Sequence, residues 1–278
     1  MEECIKPNAS LYERLKQRTF LLRSPWMDII QYVLFVAVII WFLSVSTIRL
    51  GYNWQWYRIP RYLFTFEDGH LAAGVLIQGL LFTFNISGVS LVIAMAIGLA
   101  TALGRLSDSF MTQAITRIYL EVIRNTPLLV QIYLVYFVVG PIIGLGRFSS
   151  AVLALSLFEG SYMSEIFRAG IVSLHKGQWE ASYSLGLSTF DSYRDVILPQ
   201  AIRRISPPLA GEVISLIKNS ALVSLVSLGD LAMQARSIAS DTFLIFEVWF
   251  TTAAIYLVVT VTLSLIVNQM EKRFRILT

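Results

Sequence analysis

From about Gly74 to Leu103 the chain carries no charged side chain, a stretch longer than the roughly 20 apolar residues that take a helix across a bilayer. Five further apolar runs have comparable reach: Met27 to Thr47, Ile118 to Ile143 with Pro127 inside it, Ser149 to Gly170, Pro207 to Leu228, and Phe246 to Val267. Composition agrees. Only 14% of the 278 residues are charged and 56% are hydrophobic, against about 25% charged in an ordinary globular domain, so little of this surface can face water. Disorder is excluded, and the single cysteine, Cys4, rules out a disulfide scaffold. The net charge of +4 fits basic flanks on membrane helices better than a nucleic-acid surface. The chain is expected to be an all-α membrane protein with about six transmembrane helices.

Six spans place both termini on one side. Of the 22 lysines and arginines, fifteen then fall on that side, among them Lys6, Lys16, Arg105, Lys176, Arg203 and Lys272, and five on the other: Arg49, Arg58, Arg61, Arg147 and Arg236. A shift of one span destroys this asymmetry, so the shared side is expected to be cytoplasmic. The expected organisation is a cytoplasmic tail over 1–27, a first helix and an outer aromatic loop over 28–73, a core over 74–270, and a cytoplasmic end over 271–278. Within the aromatic loop, Tyr52, Trp54, Trp56, Tyr57 and Tyr62 suit the outer membrane interface. Ala94, Gly98 and Ala102, at four-residue spacing, offer a seam where another helix can approach.

Residues 171–205 break the apolar pattern with Lys176, Glu180, Asp191, Arg194, Asp195, Arg203 and Arg204, and are expected to form a cytoplasmic loop. From Trp179 to Leu187 the apolar positions fit one helix face, and Gly186 falls where a helix ends or turns. Two short helices joined at a glycine make a compact knob, a docking element for a partner.

The loop carries Glu180-Ala181-Ser182, then Gly186 after three residues, then Val196-Ile197-Leu198-Pro199 after nine more. This resembles the signature of permease subunits of ABC importers, with Ser182 in place of an alanine and Val196 in place of isoleucine. Tyr119-Leu120-Glu121-Val122-Ile123-Arg124-Asn125-Thr126-Pro127-Leu128-Leu129-Val130-Gln131 is similar to a stretch of the polar amino acid permeases of the histidine/glutamine group, with Asn125 replacing a glycine. Ser161 to Gly170, Lys176 to Glu180 and Leu216 to Leu222 match the same group, so the resemblance covers roughly residues 75–275.

The resemblance implies a type I ABC importer permease fold, with five core helices preceded here by one extra, in a bacterial plasma (inner) membrane. The partners it implies are a second permease subunit, homologous or identical, two ATPase subunits, an extracytoplasmic solute-binding protein, the amino acid substrate and membrane lipid. No nucleic acid is implied. No G-x-x-x-x-G-K-[ST] loop occurs in the chain, so it is expected not to be an enzyme and to bind no cofactor, with ATP and Mg2+ held by the partner ATPase. The coupling residues implied are Gly177, Gln178, Glu180, Ala181, Ser182, Gly186, Leu198 and Pro199.

Polar groups at bilayer depth point to a substrate path, because a charge there costs about 2.5–3.5 kcal/mol on insertion scales. Glu159 lies mid-span, with Tyr162 three residues on and hence on the same face. A carboxylate there can hold an α-ammonium or a cationic side chain, or else pair internally with Lys218. Thr126 and Gln131 flank Pro127, which frees backbone groups in mid-helix. They either face substrate or are met by neighbouring helices. Lys218, Asn219 and Ser220 either serve the substrate carboxylate or lock the bundle. Glu165 with Arg168, and Glu121 with Arg124, read as ion pairs near helix ends.

His70 and His175 fall in different loops on opposite sides, so neither a metal site nor a histidine base is expected. The sequons Asn8-Ala9-Ser10 and Asn85-Ile86-Ser87 fall in the tail and in a span, where glycosylation is not expected. A secondary transporter driven by an ion gradient leaves the signature loop unexplained. An intramembrane hydrolase lacks both a G-x-S-x-G serine and a histidine in a span.

Overall fold

The computed structural model describes residues 25–67 and 69–274 and divides into two units, one ending at Trp54 and the other beginning at Gln55. The tail expected over 1–27 lies almost wholly outside the described residues, with Cys4, the first sequon and the final four residues. The first unit contains α1 (Pro25–Leu50), which contains the first expected span.

The second unit opens with a helical turn (Trp56–Arg58), a short helix (Pro60–Leu63) and a hairpin of β1 (Phe64–Glu67) and β2 (His70–Ala73). The strands are antiparallel with Phe64 opposite Ala73 and Glu67 opposite His70. This hairpin departs from the all-α expectation. Its turn carries Gly69 at φ +79°, in the left-handed region that glycine enters without penalty, and Asp-Gly is a strong short-range hairpin signal.

Then come α2 (Val75–Leu106), α3 (Phe110–Arg124) with the short α4 (Leu128–Leu134), α5 (Arg147–Val172), and, after the short α6 (Lys176–Ser184), α7 (Leu198–Asn219). The unit closes with α8 (Leu231–Thr242) and α9 (Ile245–Phe274). Among the described residues three helical stretches are long and apolar enough to cross a membrane: Val75–Leu106, Thr189–Val226 and Ile245–Gln269. A fourth is the pair Phe110–Arg124 and Leu128–Ile143, bent by 107°. Helix α5 has 26 residues, ample for a span, and it carries Glu159, Glu165 and Arg168.

The bend is where Pro127 was expected to free backbone groups. Proline lacks an N–H and pushes the residue before it out of helical geometry. Gln131 meets the loose ends, its Nε2 donating to the carbonyls of Ile123 (2.7 Å) and Thr126 (2.8 Å). Thr126 Oγ1 donates to the Val122 carbonyl at 2.8 Å.

The fifth expected span starts earlier than Pro207. Helical structure runs unbroken from Thr189 to Val226 with Pro207 and Pro208 inside it, so the second half of the 171–205 loop is the foot of a helix. Proline suits the first turn of a helix, which favours reading Pro207 as a start. Packing of Ala201 and Ile205 against α5, where a side chain on Gly170 would collide with Ile205, keeps the helix going.

The core lies between α2 and α5. Ala94 and Ala102 are fully buried with Met163 and Phe167. A Cβ on Gly98 would lie 2.9 Å from Met163 Cβ and 3.1 Å from the Gly160 carbonyl oxygen, and one on Gly160 would lie 3.0 Å from Ile97. The small-residue seam is therefore a real helix crossing, and it places Glu159 beside a close contact of α2 with α5. A second cluster joins α2, α4, α5 and α7 through Ile86, Ile132, Leu155 and Leu216.

At the opposite end from the loop, Asp230 caps α8, accepting from Ala232 N (3.1 Å) and Met233 N (3.3 Å). Burial pushes its carboxyl up to about 6 from the usual 3.8. A carboxyl raised on folding stabilises the fold fully below its unfolded value and loses that contribution as pH rises through the folded one. Thermal stability in detergent is therefore expected to fall between pH 4 and pH 6 in the natural chain. Asp230→Asn, which keeps a capping side chain, should flatten that fall.

Candidate functional site

Of the two short helices expected over 171–205 one forms, α6; beyond the turn at Gly186 the second is the foot of the long helical stretch Thr189–Val226, and the two together make the knob. His175 caps α6, its Nδ1 accepting from Gly177 N at 3.1 Å. The helix ends in a Schellman turn, with Gly186 N donating to the Tyr183 carbonyl (2.9 Å) and Leu187 N to the Ser182 carbonyl (3.2 Å). Such a turn needs a left-handed residue, and Gly186 has φ +78°. Trp179 anchors the knob edge-on against Tyr193 at 4.7 Å between ring centres, over a base of Ile171, Leu174, Ile197 and Ala201. Gln178 Oε1 accepts from Gln200 Nε2 at 3.0 Å, tying α6 to α7.

Fixed on one side, the knob leaves the other free. Glu180, Ala181 and Gly186 are exposed, as are Tyr183 (49%), Leu185 (79%) and Phe190 (71%). Exposed aromatic and aliphatic side chains on a rigid element are what an interface uses. Ser182 is buried, and its Oγ donates to the Trp179 carbonyl at 2.8 Å, so it supports the knob from within. Leu198 and Pro199, at the start of α7, are exposed, and Gly177 is half-buried at the start of α6.

The second candidate site is polar and buried. Glu159 is 1% exposed. Its Oε1 accepts from Asn219 Nδ2 at 2.8 Å, and the Glu212 carboxyl of α7 lies within hydrogen-bonding reach. Asn219, not Lys218, is thus its partner, and Lys218 is exposed. Ser220 is buried and donates to the Ile217 carbonyl at 2.8 Å, locking the helix end. Tyr162 stands beside Phe158 (5.1 Å) and under the Arg124 guanidinium (5.2 Å). Thr126 and Gln131 serve the α3–α4 bend described above. The structure therefore joins Glu159 to Asn219 and adds Glu212 of the same helix, whose side of α7 the sequence alone does not fix.

Of the two expected ion pairs one forms. Arg168 bonds Glu165, which Arg105 also bonds, with Arg124 at 3.9 Å. Glu121 accepts instead from Asn125 Nδ2 at 3.0 Å, because Arg124 turns to α5 and donates to the Ser161 carbonyl at 2.7 Å.

A further buried carboxylate escaped the sequence reading. Glu247, in the first turn of α9, is fully buried and accepts from Gln55 N at 2.6 Å. A carboxylate is well placed at a helix N-terminus, and here it ties the start of the unit to α9 across 192 positions.

Comparison with known proteins agrees with this geometry. Residues 94–276 match the family described as binding-protein-dependent transport system inner membrane component. The glutamine transport system permease protein GlnP of Escherichia coli is 34% identical over 209 residues, covering 74% of this chain and 95% of that protein. The L-cystine transport system permease protein TcyB of Bacillus subtilis is 37% identical over 201 residues, covering 72% and 86%. Among solved structures, a chain of an amino acid ABC transporter crystallised with histidines superposes with a TM-score of 0.67 at 39% identity, over 72% of this chain and 94% of that one. The inward-facing MetNI methionine transporter shares the fold at 16% identity and a TM-score of 0.61, over 73% of this chain and 97% of that one. With a family match over most of its length and the signature knob in place, this chain belongs to the inner membrane components of binding-protein-dependent transport systems.

Proposed function

We propose that this chain is the permease subunit of an ATP-driven importer of polar amino acids in a bacterial inner membrane, with both termini and the 171–205 knob on the cytoplasmic side. It is not itself an enzyme. It pairs with a second permease, identical or homologous, receives substrate from an external binding protein, and sits on two ATPase subunits that hold the ATP and Mg2+. The observation that carries this reading is the knob: a rigid helix, anchored by Trp179, offers Glu180, Ala181, Leu185 and Gly186 to a partner. Closure of the ATPase dimer around it biases the permease between inward-open and outward-open states, which is coupling between distant sites.

The substrate reading rests on Glu159, Asn219 and Glu212. Two carboxyls and an amide on facing helices form a site that favours an ammonium or a cationic side chain. Glu159 is 1% exposed, so substrate reaches it by taking the place of Asn219 as the halves move. Tyr162 and Lys218 extend the proposed path, while Thr126, Gln131 and Ser220 hold the helix breaks that frame it. A charge-assisted hydrogen bond is worth about 1.5–3 kcal/mol, so Glu159→Gln should lower uptake of amino acids with cationic side chains by roughly 10- to 150-fold and spare neutral ones. Competition uptake in vesicles containing the whole transporter tests this. An unchanged preference removes Glu159 from the path.

A further inference from the structure

Where α2, α3 and α5 meet at the knob end of the bundle, a half-open cavity of about 460 Å³ is lined by Arg105, Arg117, Arg124 and Arg168, with Gln113 and Glu121. The carboxylates facing it do not balance it. Arg105, Arg124 and Arg168 share the single Glu165, Glu121 bonds Asn125, and Arg117, exposed, has no ion pair among the described residues. Four guanidinium groups thus converge on a space with two carboxylates. The Nε of Arg124 is buried with no hydrogen-bond acceptor, although its neighbouring nitrogens are engaged. A buried donor of a charged group is costly to leave unmet.

Converging arginines select planar or tetrahedral oxyanions, which they bind through paired N–H donors, and basic pockets between membrane helices hold anionic headgroups. A different face of α3 is apolar and exposed, with Met111 (65%), Ile115 (60%), Ile118 (63%) and Val122 (56%). Helix α3 therefore turns an apolar face to hydrocarbon and its charged face to the cavity, as suits a helix near the membrane–water interface, where lipid phosphates lie. The geometry points to this cavity as a binding site for a phosphate oxyanion, with the exposed Arg117 as its free donor and Arg105, Arg124 and Arg168 supplying the surrounding positive charge. The source is the headgroup of an anionic phospholipid or phosphate from the aqueous side. The site does not depend on the transport reading, since Arg117, the residue varied to test it, belongs neither to the Glu159 site nor to the exposed face of the knob.

The test uses the full transporter complex, stripped of lipid in neutral detergent, as the natural protein, as Arg117→Gln, and as Arg61→Gln, an arginine outside the cavity. Arg117 takes part in no ion pair, so its replacement leaves the Glu165 cluster intact. Native mass spectrometry follows retention of phosphatidylglycerol against phosphatidylcholine, and thermal shift follows inorganic phosphate against chloride at equal ionic strength. Preferential retention of phosphatidylglycerol, weakened about fivefold by Arg117→Gln and untouched by Arg61→Gln, supports the site with lipid as its source. A phosphate-specific stabilisation lost in Arg117→Gln supports it with a soluble source. The proposal is overturned if neither anion is preferred, if Arg117→Gln binds like the natural protein, or if Arg61→Gln loses as much.

Discussion

Gly186→Arg is expected to leave a folded, membrane-inserted transporter that still hydrolyses ATP but takes up little substrate. The residue sits at φ +78° with nothing within 4 Å of where a Cβ would stand. An arginine therefore meets no clash inside the chain and pays only the left-handed backbone strain, roughly 1–2 kcal/mol. That strain falls on the last turn of the knob, away from the α2–α5 core. The guanidinium projects from the exposed face beside Leu185 and Glu180, where the ATPase groove is proposed to close. Coupling energies of about 1–3 kcal/mol correspond to roughly 5- to 150-fold effects, and uptake should fall within that range. ATPase activity and uptake measured on the same proteoliposomes check it. Equal loss of both activities would indicate a failure to assemble rather than to couple, and normal uptake would remove the knob's docking role.

The second large effect lies in the membrane. Gly98→Leu should prevent α2 and α5 from closing, because its Cβ alone would sit 2.9 Å from Met163 Cβ and 3.1 Å from a backbone carbonyl of α5. Overpacking a core usually costs about 1–3 kcal/mol, and here the obstacle includes backbone, which cannot swing aside as a side chain can. The expected outcome is a large loss of detergent-stable protein in fluorescence size-exclusion chromatography. Gly88→Leu is the control, on the same helix but with nothing within 4 Å of its Cβ position, and should behave like the natural chain. If both variants are equally stable, the seam is not the keystone of the bundle.

Much of this was readable within single elements. The small-residue seam, the end of α6 at Gly186 and the freed backbone groups at Pro127 each follow from neighbours in sequence, through helix periodicity, the left-handed turn of a Schellman cap, and the missing proline N–H, whereas the 107° bend that splits the expected span there does not. The features that escaped join residues far apart. Glu159 chose Asn219 over Lys218 because of the rotation of α7 about its axis, which periodicity alone does not set. Arg124 left Glu121, three residues away, for α5, and Glu247 found Gln55 across the unit. The hairpin at Gly69 is a different case, since its Asp-Gly signal is local and was outweighed by an apolar composition that argued for helices throughout. Polar partner choice is decided by tertiary placement, and in a membrane protein the few polar groups are the ones that carry function.

The central claim is that the exposed knob is where an ATPase acts on this chain. The most direct measurement is co-purification from membranes of the natural chain and of a variant lacking residues 177–188, with the membrane-inserted amount of each matched. Recovery of an ATP-hydrolysing subunit with the natural chain, and its loss with the deletion, is the result predicted. Retention of that subunit at the same stoichiometry by the deletion variant would contradict the account.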